Sequence, residues 1–259
     1  MPRTELDYPK APYGTVKRYS PRASYALRTI HTIINTSPVL HASFIPPDSP
    51  FPTILPMLGQ MGSSADEADV LDLYLHGYVS SRIMNISRTS STSEGLPVCI
   101  AASHLDGLVL ALTPNAHSYN YRSAVLFGYA VVVDDPAEKL YAMRLITDGV
   151  VPGRWDASRV PPNAAEMTST SVLRVRIVTG SAKIRTGPPA DDKGDRGDAE
   201  VVDRVWTGVV PLHQALGAPI PGPYNEVKSV PEYLAAFVGR SNQEAKEAAV
   251  EAATRVVEK

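Results

Sequence analysis

The sequence predicts a mainly β protein, an antiparallel barrel or sandwich with helices plugging its ends. Three observations carry this. About eight apolar runs of strand length lie between residues 38 and 212, most of them joined by short links. The few segments with helical spacing fall between or after those runs, and the order does not alternate βαβα as a doubly wound parallel sheet requires. There is also no internal repeat, which leaves a single antiparallel architecture as the simplest solution.

Taken in order, residues 1–20 are rich in proline, tyrosine and charge and predict an irregular arm. From Ser24 onward, Ala26, Leu27, Ile30, Ile33 and Ile34 share one helical face, and Pro38 ends that helix. PVLHASFI (38–45) reads as a strand, PPDSPFP (46–52) as a turn and TILPML (53–58) as the return strand. A polar loop over 59–69 leads into a strand over 70–76. That strand is expected to stop at Gly77, followed by a weakly helical stretch to residue 88 and a Ser/Thr loop over 87–93. Asp106-Gly107, between VCIAASH and LVLALT, predicts a hairpin turn. A long strand over 124–133 precedes a helix that starts at Asp135-Pro136, with aspartate as N-cap, and stops near Gly149. SVLRVRIV (171–178) alternates as a strand, 190–200 reads as a solvated loop, and 201–212 as the last strand. Proline-rich turns and a helix over 231–258 close the chain. The expected organisation is an arm (1–20), one domain (21–225) and a helical tail (226–259).

Composition narrows the function classes. The chain has 259 residues with a formal net charge of −2, so no basic field favours nucleic acid. No run approaches the roughly 20 apolar residues of a membrane span. The N-terminus has no apolar segment of a secretory leader, and the single cysteine, Cys99, allows no internal disulfide. A reducing, cytoplasmic setting is expected, which voids the glycosylation-like triplets at Asn35 and Asn85. Arg196-Gly197-Asp198 is read as a chance triplet in a polar loop.

The six histidines show no zinc spacing, so no metal site is expected. Ser103, His104 and Asp106 look like a triad on paper, but neighbours on one strand point to opposite faces and cannot relay a proton. Two other clusters are denser in chemistry. LYLHGYVSSR (73–82) ends a strand with a glycine, hydroxyls and a guanidinium, which is either a surface turn or a seat for an anion. SAKIRTGPP (181–189) puts Lys183 and Arg185 two residues apart, on one face of a strand, where they suit a phosphate or simply face solvent. HSYNYRS (117–123) gathers polar groups beside a buried strand, and Trp206 is a core aromatic or the neighbour of a flat ring. With no GxGxxG and no P-loop, a Rossmann site or a nucleotide triphosphatase is unsupported. Ser81, Arg82, Lys183 and Arg185 are together expected to seat a phosphate next to an aromatic-lined slot.

LYLHGYVSSR, DGLVLALTPNAHSYNYRSAVLFG, VPGRW, SAKIRTGPP and VWTGVVPL stand in one order, and over residues 15–225 the chain resembles the FMN-binding split-barrel proteins related to pyridoxamine 5′-phosphate oxidase. It looks closest to the branch that contains the nitroimidazole-resistance flavoproteins. The resemblance implies a six-stranded antiparallel split barrel that forms a homodimer with FMN at the interface. It places His76, Gly77, Ser80, Ser81 and Arg82 at the flavin's phosphate side and Asn120, Tyr121, Arg122 and Ser123 on the strand that meets the flavin. Lys183 and Arg185 add charge, Trp206 packs near the ring, and His41 matches a histidine beside the flavin. Tyr78, where the family has a small hydroxyl residue, and Leu40, where it often has cysteine, are departures that bear on the substrate.

The implied activity is an FMN-dependent oxidoreductase in which NADH or NADPH supplies hydride for a small organic substrate. The flavin does the chemistry, and the protein holds and tunes it. His41 is the expected proton donor or substrate contact, because histidine exchanges protons near neutral pH. Tyr121 is a second catalytic candidate. The alternatives are a flavin- or haem-binding module without turnover and, behind it, a pyridoxamine 5′-phosphate oxidase proper.

Overall fold

The computed structural model describes residues 6–65, 70–90 and 92–255. Parts of the expected arm (1–5), polar loop (66–69), Ser/Thr loop (Ser91) and tail (256–259) lie outside the described residues. The strands are β1 (Ala23–Ser24), β2 (Leu40–Phe44), β3 (Thr53–Gly62), β4 (Asp72–Tyr78), β5 (Leu96–Leu110), β6 (Ser118–Val132), β7 (Thr170–Arg185) and β8 (Gly208–Pro211). The helices are α1 (Leu27–Thr36), α2 (Arg82–Arg88), α3 (Pro136–Val150), α4 (Ala164–Ser169), α5 (Lys193–Gly197), α6 (Ala199–Arg204) and α7 (Glu232–Thr254).

Strands pair in the order β1-β7-β4-β3-β2-β5-β6, and β6 returns to pair with β7. The six strands β2 to β7 therefore close into an antiparallel barrel, as the sequence predicts. Closure satisfies the backbone of both would-be edges. The chain separates into two compact units: residues 1–103 with 123–183, and residues 104–122 with 184–259.

In the first unit, period-2 alternation sends Leu40, Ala42 and Phe44 of β2 inward with Leu73 and Leu75 of β4, all at most 2% exposed. The apolar stripe of α1 buries Ile30 and Ile34 completely, each contributing about 1.5–3 kcal/mol of transfer free energy. Asp135 caps α3 by accepting from the backbone N–H of Ala137 and Glu138 at 3.4 and 3.0 Å. On the outer face of the sheet, α3 covers Tyr74 and Val172 with Ala142 and Ile146. The Tyr74 hydroxyl donates to Glu138 at 2.8 Å, and Arg174 pairs with the same carboxylate at 3.0 Å.

Several local expectations are corrected. β3 continues to Gly62 instead of giving way to a loop at residue 59, because residues 58–62 pair with β4 from His76 back to Asp72. β4 runs one residue past Gly77, which pairs with Ser171, and ends at Tyr78. A Cβ on Gly77 would lie 2.7 Å from Met84 Cε, the end of a flexible side chain that would have to shift. Asp106-Gly107 makes no hairpin, since both residues lie inside β5. Asp106 is 4% exposed and holds Arg122, while a Cβ on Gly107 would lie 2.7 Å from a methyl of Val209. A charged partner and a close backbone approach explain the dipeptide without a turn. Residues 193–204 form α5 and α6 rather than a loop and the start of a strand, and Asp198 caps α6 by accepting from Val201 N–H. Only Gly208–Pro211 of the expected last strand is extended in a sheet, paired with residues 107–110.

Candidate flavin site

Directly paired strand residues face the same side of a sheet, as do residues two apart. His41 pairs with Pro56, and His76 pairs with Leu58. The register therefore puts His41, Pro56, Leu58 and His76 on one outer face of the β2-β3-β4 ladder. Ile54 and Leu58 are 61% and 42% exposed there, and Tyr78 is 64% exposed. This is an apolar surface with two imidazoles that α3 leaves uncovered. Desolvation by the packing around it holds the His76 imidazole below its ordinary pKa, which keeps it neutral near pH 7.

The corner between β4 and α2 carries the predicted anion seat. The Tyr78 carbonyl accepts from Ser81 N–H at 3.0 Å, which turns the chain into α2. Ser81 Oγ is buried and has no hydrogen-bond partner among the described residues. It lies 3.7 Å from the point where a Cβ on Gly77 would sit, an ordinary contact distance. Ser80 is exposed and its carbonyl accepts from Asn85 Nδ2. Arg82 is half exposed and pairs with Asp48 at 2.6 Å. That hydrogen bond holds the Asp48 carboxyl below the usual range. A solvent-exposed pair of this kind is weak, and an anion readily competes for the guanidinium. Arg88 braces the corner by donating to Val79 O and Ser171 Oγ, both at 2.8 Å.

The remaining predicted residues have other surroundings. Lys183 sits at the far end of β7 from the segment that pairs with Tyr78, and its ammonium lies 5.9 Å from the Tyr19 ring centroid. Within one chain it does not join Ser81 and Arg82. Ser123 donates to the Lys183 carbonyl at 3.1 Å.

In the second unit, Arg185 is buried and donates to Asn120 Oδ1 and to the carbonyls of Gly187 and Pro188 at 3.4 and 3.3 Å. Asn120 Nδ2 donates to the carbonyls of Gly187 and Ala252, so this pair ties down the end of α7. Arg122 grips Asp106 in a bidentate pair at 2.9 Å on both arms. Tyr121 is half-buried, and Trp206 is 66% exposed.

Sequence reasoning missed Asp48, Met84 and Asn85 around the β4–α2 corner. The signal for Asp48 was an acidic residue in a proline-rich turn, and nothing in the sequence pairs it with Arg82. A separate cavity of about 400 Å³ in the first unit is lined by Phe44, Ile45, Pro52, Val98, Cys99 and Phe127 and contains none of the predicted site residues. Burial raises the Cys99 thiol pKa, so that wall is inert toward nucleophilic chemistry at neutral pH.

A family model described as pyridoxamine 5′-phosphate oxidase matches residues 27–184, more than half of the chain. The protein belongs to that family. The matched span runs from the start of α1 to one residue short of the end of β7 and contains His41, the β4–α2 corner and Lys183. Among solved structures, the flavocytochrome Anf3 from Azotobacter vinelandii is 30% identical, with a TM-score of 0.73, and the match covers 88% of this chain and 97% of that one. A FAD- and haem-binding protein from Mycobacterium smegmatis is 25% identical, with a TM-score of 0.68, over 84% of this chain and 97% of its own. No curated protein matches the chain. Among the described residues no helix is long and apolar enough to cross a membrane.

Proposed function

We propose that this protein is a flavin-dependent oxidoreductase, cytoplasmic and homodimeric, with the cofactor held at the interface of two copies. The observation that carries the reading is the β4–α2 corner, where a buried hydroxyl without a partner sits over a glycine and beside a loosely paired arginine. This donor set suits the phosphate of a flavin. FMN is the flavin expected from the sequence, and FAD offers the same isoalloxazine and first phosphate.

Ser81 Oγ and Ser80 donate to the phosphate, and Arg82 exchanges Asp48 for it. The apolar outer face at Ile54, Pro56 and Leu58 orients the ring and excludes water from it. The flavin supplies two-electron chemistry between a reduced nicotinamide and a small organic substrate. His41 carries the proton that a substrate gains or loses. Lys183, at the other end of β7 from the corner, reaches a phosphate only if a second copy brings it there, which is one reason the reading requires a dimer.

The test is the absorption spectrum of the purified protein, followed by release and chromatography of any bound flavin. A retained flavin that NADH or NADPH bleaches anaerobically supports the reading. A protein that takes up neither FMN nor FAD at micromolar concentration sinks it.

A second reading is a flavin- and haem-binding module without substrate turnover. It is favoured by the relatives described as a flavocytochrome and as a FAD- and haem-binding protein. The apolar face bearing His41 and His76 offers imidazole nitrogens and the flat apolar contact that haem requires. A Soret band on adding haemin, together with a flavin that no nicotinamide bleaches, favours this reading over the first.

A further inference from the structure

The chain as a whole carries a small negative charge, yet one segment is strongly basic. Between Asp7 and Asp48 stand Lys10, Lys17, Arg18, Arg22 and Arg28 and no acidic residue. Two of these cations meet a third around a single aromatic ring. The guanidinium carbons of Arg22 and Arg18 lie 4.5 and 5.1 Å from the Tyr19 ring centroid, and the Lys183 ammonium lies 5.9 Å from it. The ring attracts each cation, while the cations repel one another. All four residues belong to the first unit.

The backbone builds this meeting. β1 pairs with β7, with Ala23 opposite Lys183 and Ser24 opposite Ala182, so the short strand delivers Arg22 beside a lysine far away in sequence. Arg22 N–H donates to the Tyr19 carbonyl at 3.0 Å and closes the turn between them. Tyr19 has φ 55° and ψ 52°, and among the described residues no other non-glycine residue has a positive φ. That conformation costs a tyrosine free energy and persists only where the surroundings impose it. Ser123 Oγ, donating to the Lys183 carbonyl at 3.1 Å, fixes the other side. Among the described residues no carboxylate lies within ion-pair distance of Arg18, Arg22 or Lys183, whereas Arg82, Arg122 and Arg176 each have one. Arg18 is exposed and Tyr19 is 53% exposed, so solvent reaches the cluster.

We infer that Arg18, Tyr19, Arg22 and Lys183 form a second anion site, separate from the β4–α2 corner at the other end of β7, that takes the phosphate group of a small molecule. Cations held together without an internal counter-charge are relieved by an anion from solution. A phosphomonoester carries a charge of about −2 at neutral pH and three acceptor oxygens. Two guanidiniums and an ammonium match it in sign and in number of donors. Extended polyanions fit less well. An anionic membrane is read by roughly 4–8 basic residues together, and a duplex by a stripe that neutralises several phosphates. Here three cations converge on one ring, and the nearby Lys10 is engaged elsewhere, over the Tyr25 ring at 4.7 Å. The net charge of −2 adds no long-range field toward either surface.

The experiment is calorimetric titration of the full chain with inorganic phosphate and with pyrophosphate at physiological salt. The wild type is compared with the double variant Arg18→Gln, Arg22→Gln. A second variant, Ser20→Glu, adds a carboxylate beside Tyr19 at an exposed position and removes none of the three cations, so it tests the site without disturbing the fold. Melting temperature and uptake of added FMN are recorded for each. The expected result is saturable binding of either probe by the wild type that weakens roughly tenfold or more in both variants, with melting temperature and FMN uptake unchanged. A wild type that binds neither probe at millimolar concentration overturns the site, and so does equal binding by the variants. Loss of FMN uptake in parallel with phosphate binding overturns its separation from the flavin site. Co-sedimentation with phosphatidylserine vesicles that pyrophosphate does not displace overturns the small-molecule ligand in favour of a membrane surface.

Discussion

Ser81 offers the sharpest test at the scale of one side chain. A hydroxyl with no partner in a buried corner normally lowers stability, by about 1–3 kcal/mol where it is fully desolvated. Ser81→Ala should therefore leave the melting temperature unchanged or slightly raised, while flavin binding weakens roughly tenfold, the loss of one hydrogen bond to a charged group. A fall in melting temperature with unchanged flavin affinity would mark Ser81 as an ordinary helix cap. Arg122 is the opposite case. Its loss strands the Asp106 carboxylate, whose side chain is 5% exposed, so Arg122→Ala should destabilise the fold by about 2–4 kcal/mol in urea titration. The sequence made Asp106 a turn residue because Asp-Gly between apolar runs is a turn signal. Its partner stands sixteen positions later, beyond the reach of any local pattern. The same limit hid Asp48 from Arg82, whereas Ser81 and Arg82 stood out because the corner is written in consecutive residues.

Among elements, helix ends and helical faces were legible, and strand lengths were not. The Asp135 cap is local chemistry, and it formed where the sequence put it. Asp135→Ala should cost about 1 kcal/mol, read as a lowered denaturation midpoint. β5 shows why strands ran longer than expected. Asp106-Gly107 reads as a turn in a sequence, but here it lies inside β5, where Gly107 sits against a methyl of Val209 and pairs with Pro211.

The clip between the N-terminal segment and α1 was invisible in the sequence. The Tyr8 hydroxyl meets His31 Nε2 at 2.8 Å inside the core. Burial lowers the His31 pKa from 6.5 to about 4. The unfolded chain binds a proton on His31 below pH 6.5, and the folded chain does so only near 4. This contribution is therefore fully present above pH 6.5 and is lost as pH falls from 6.5 to 4. Denaturation midpoints of the wild type should drop over that window, and His31→Gln should flatten the slope there. An unchanged slope in the variant would assign the pH dependence to other groups.

For the molecule as a whole, the antiparallel class was legible because strand-length runs without alternating helices admit few topologies. The closure of β6 on β7 was not, since it joins segments some fifty residues apart and depends on register and twist. A ligand that binds only the folded state stabilises it by mass action. Free FMN or FAD at 100 times its dissociation constant should raise stability by about 2.7 kcal/mol. A melting temperature that does not move with either flavin would exclude both as ligands.

Among the described residues two short strands lie at the sheet's margins: β1 has two residues, and β8 has four and ends on a proline. Unpaired backbone along a sheet margin is what recruits neighbouring chains into fibrils, and short margins ending on proline are poor templates for that growth. Concentrated, folded protein should therefore stay free of thioflavin-positive aggregates for as long as the barrel remains intact.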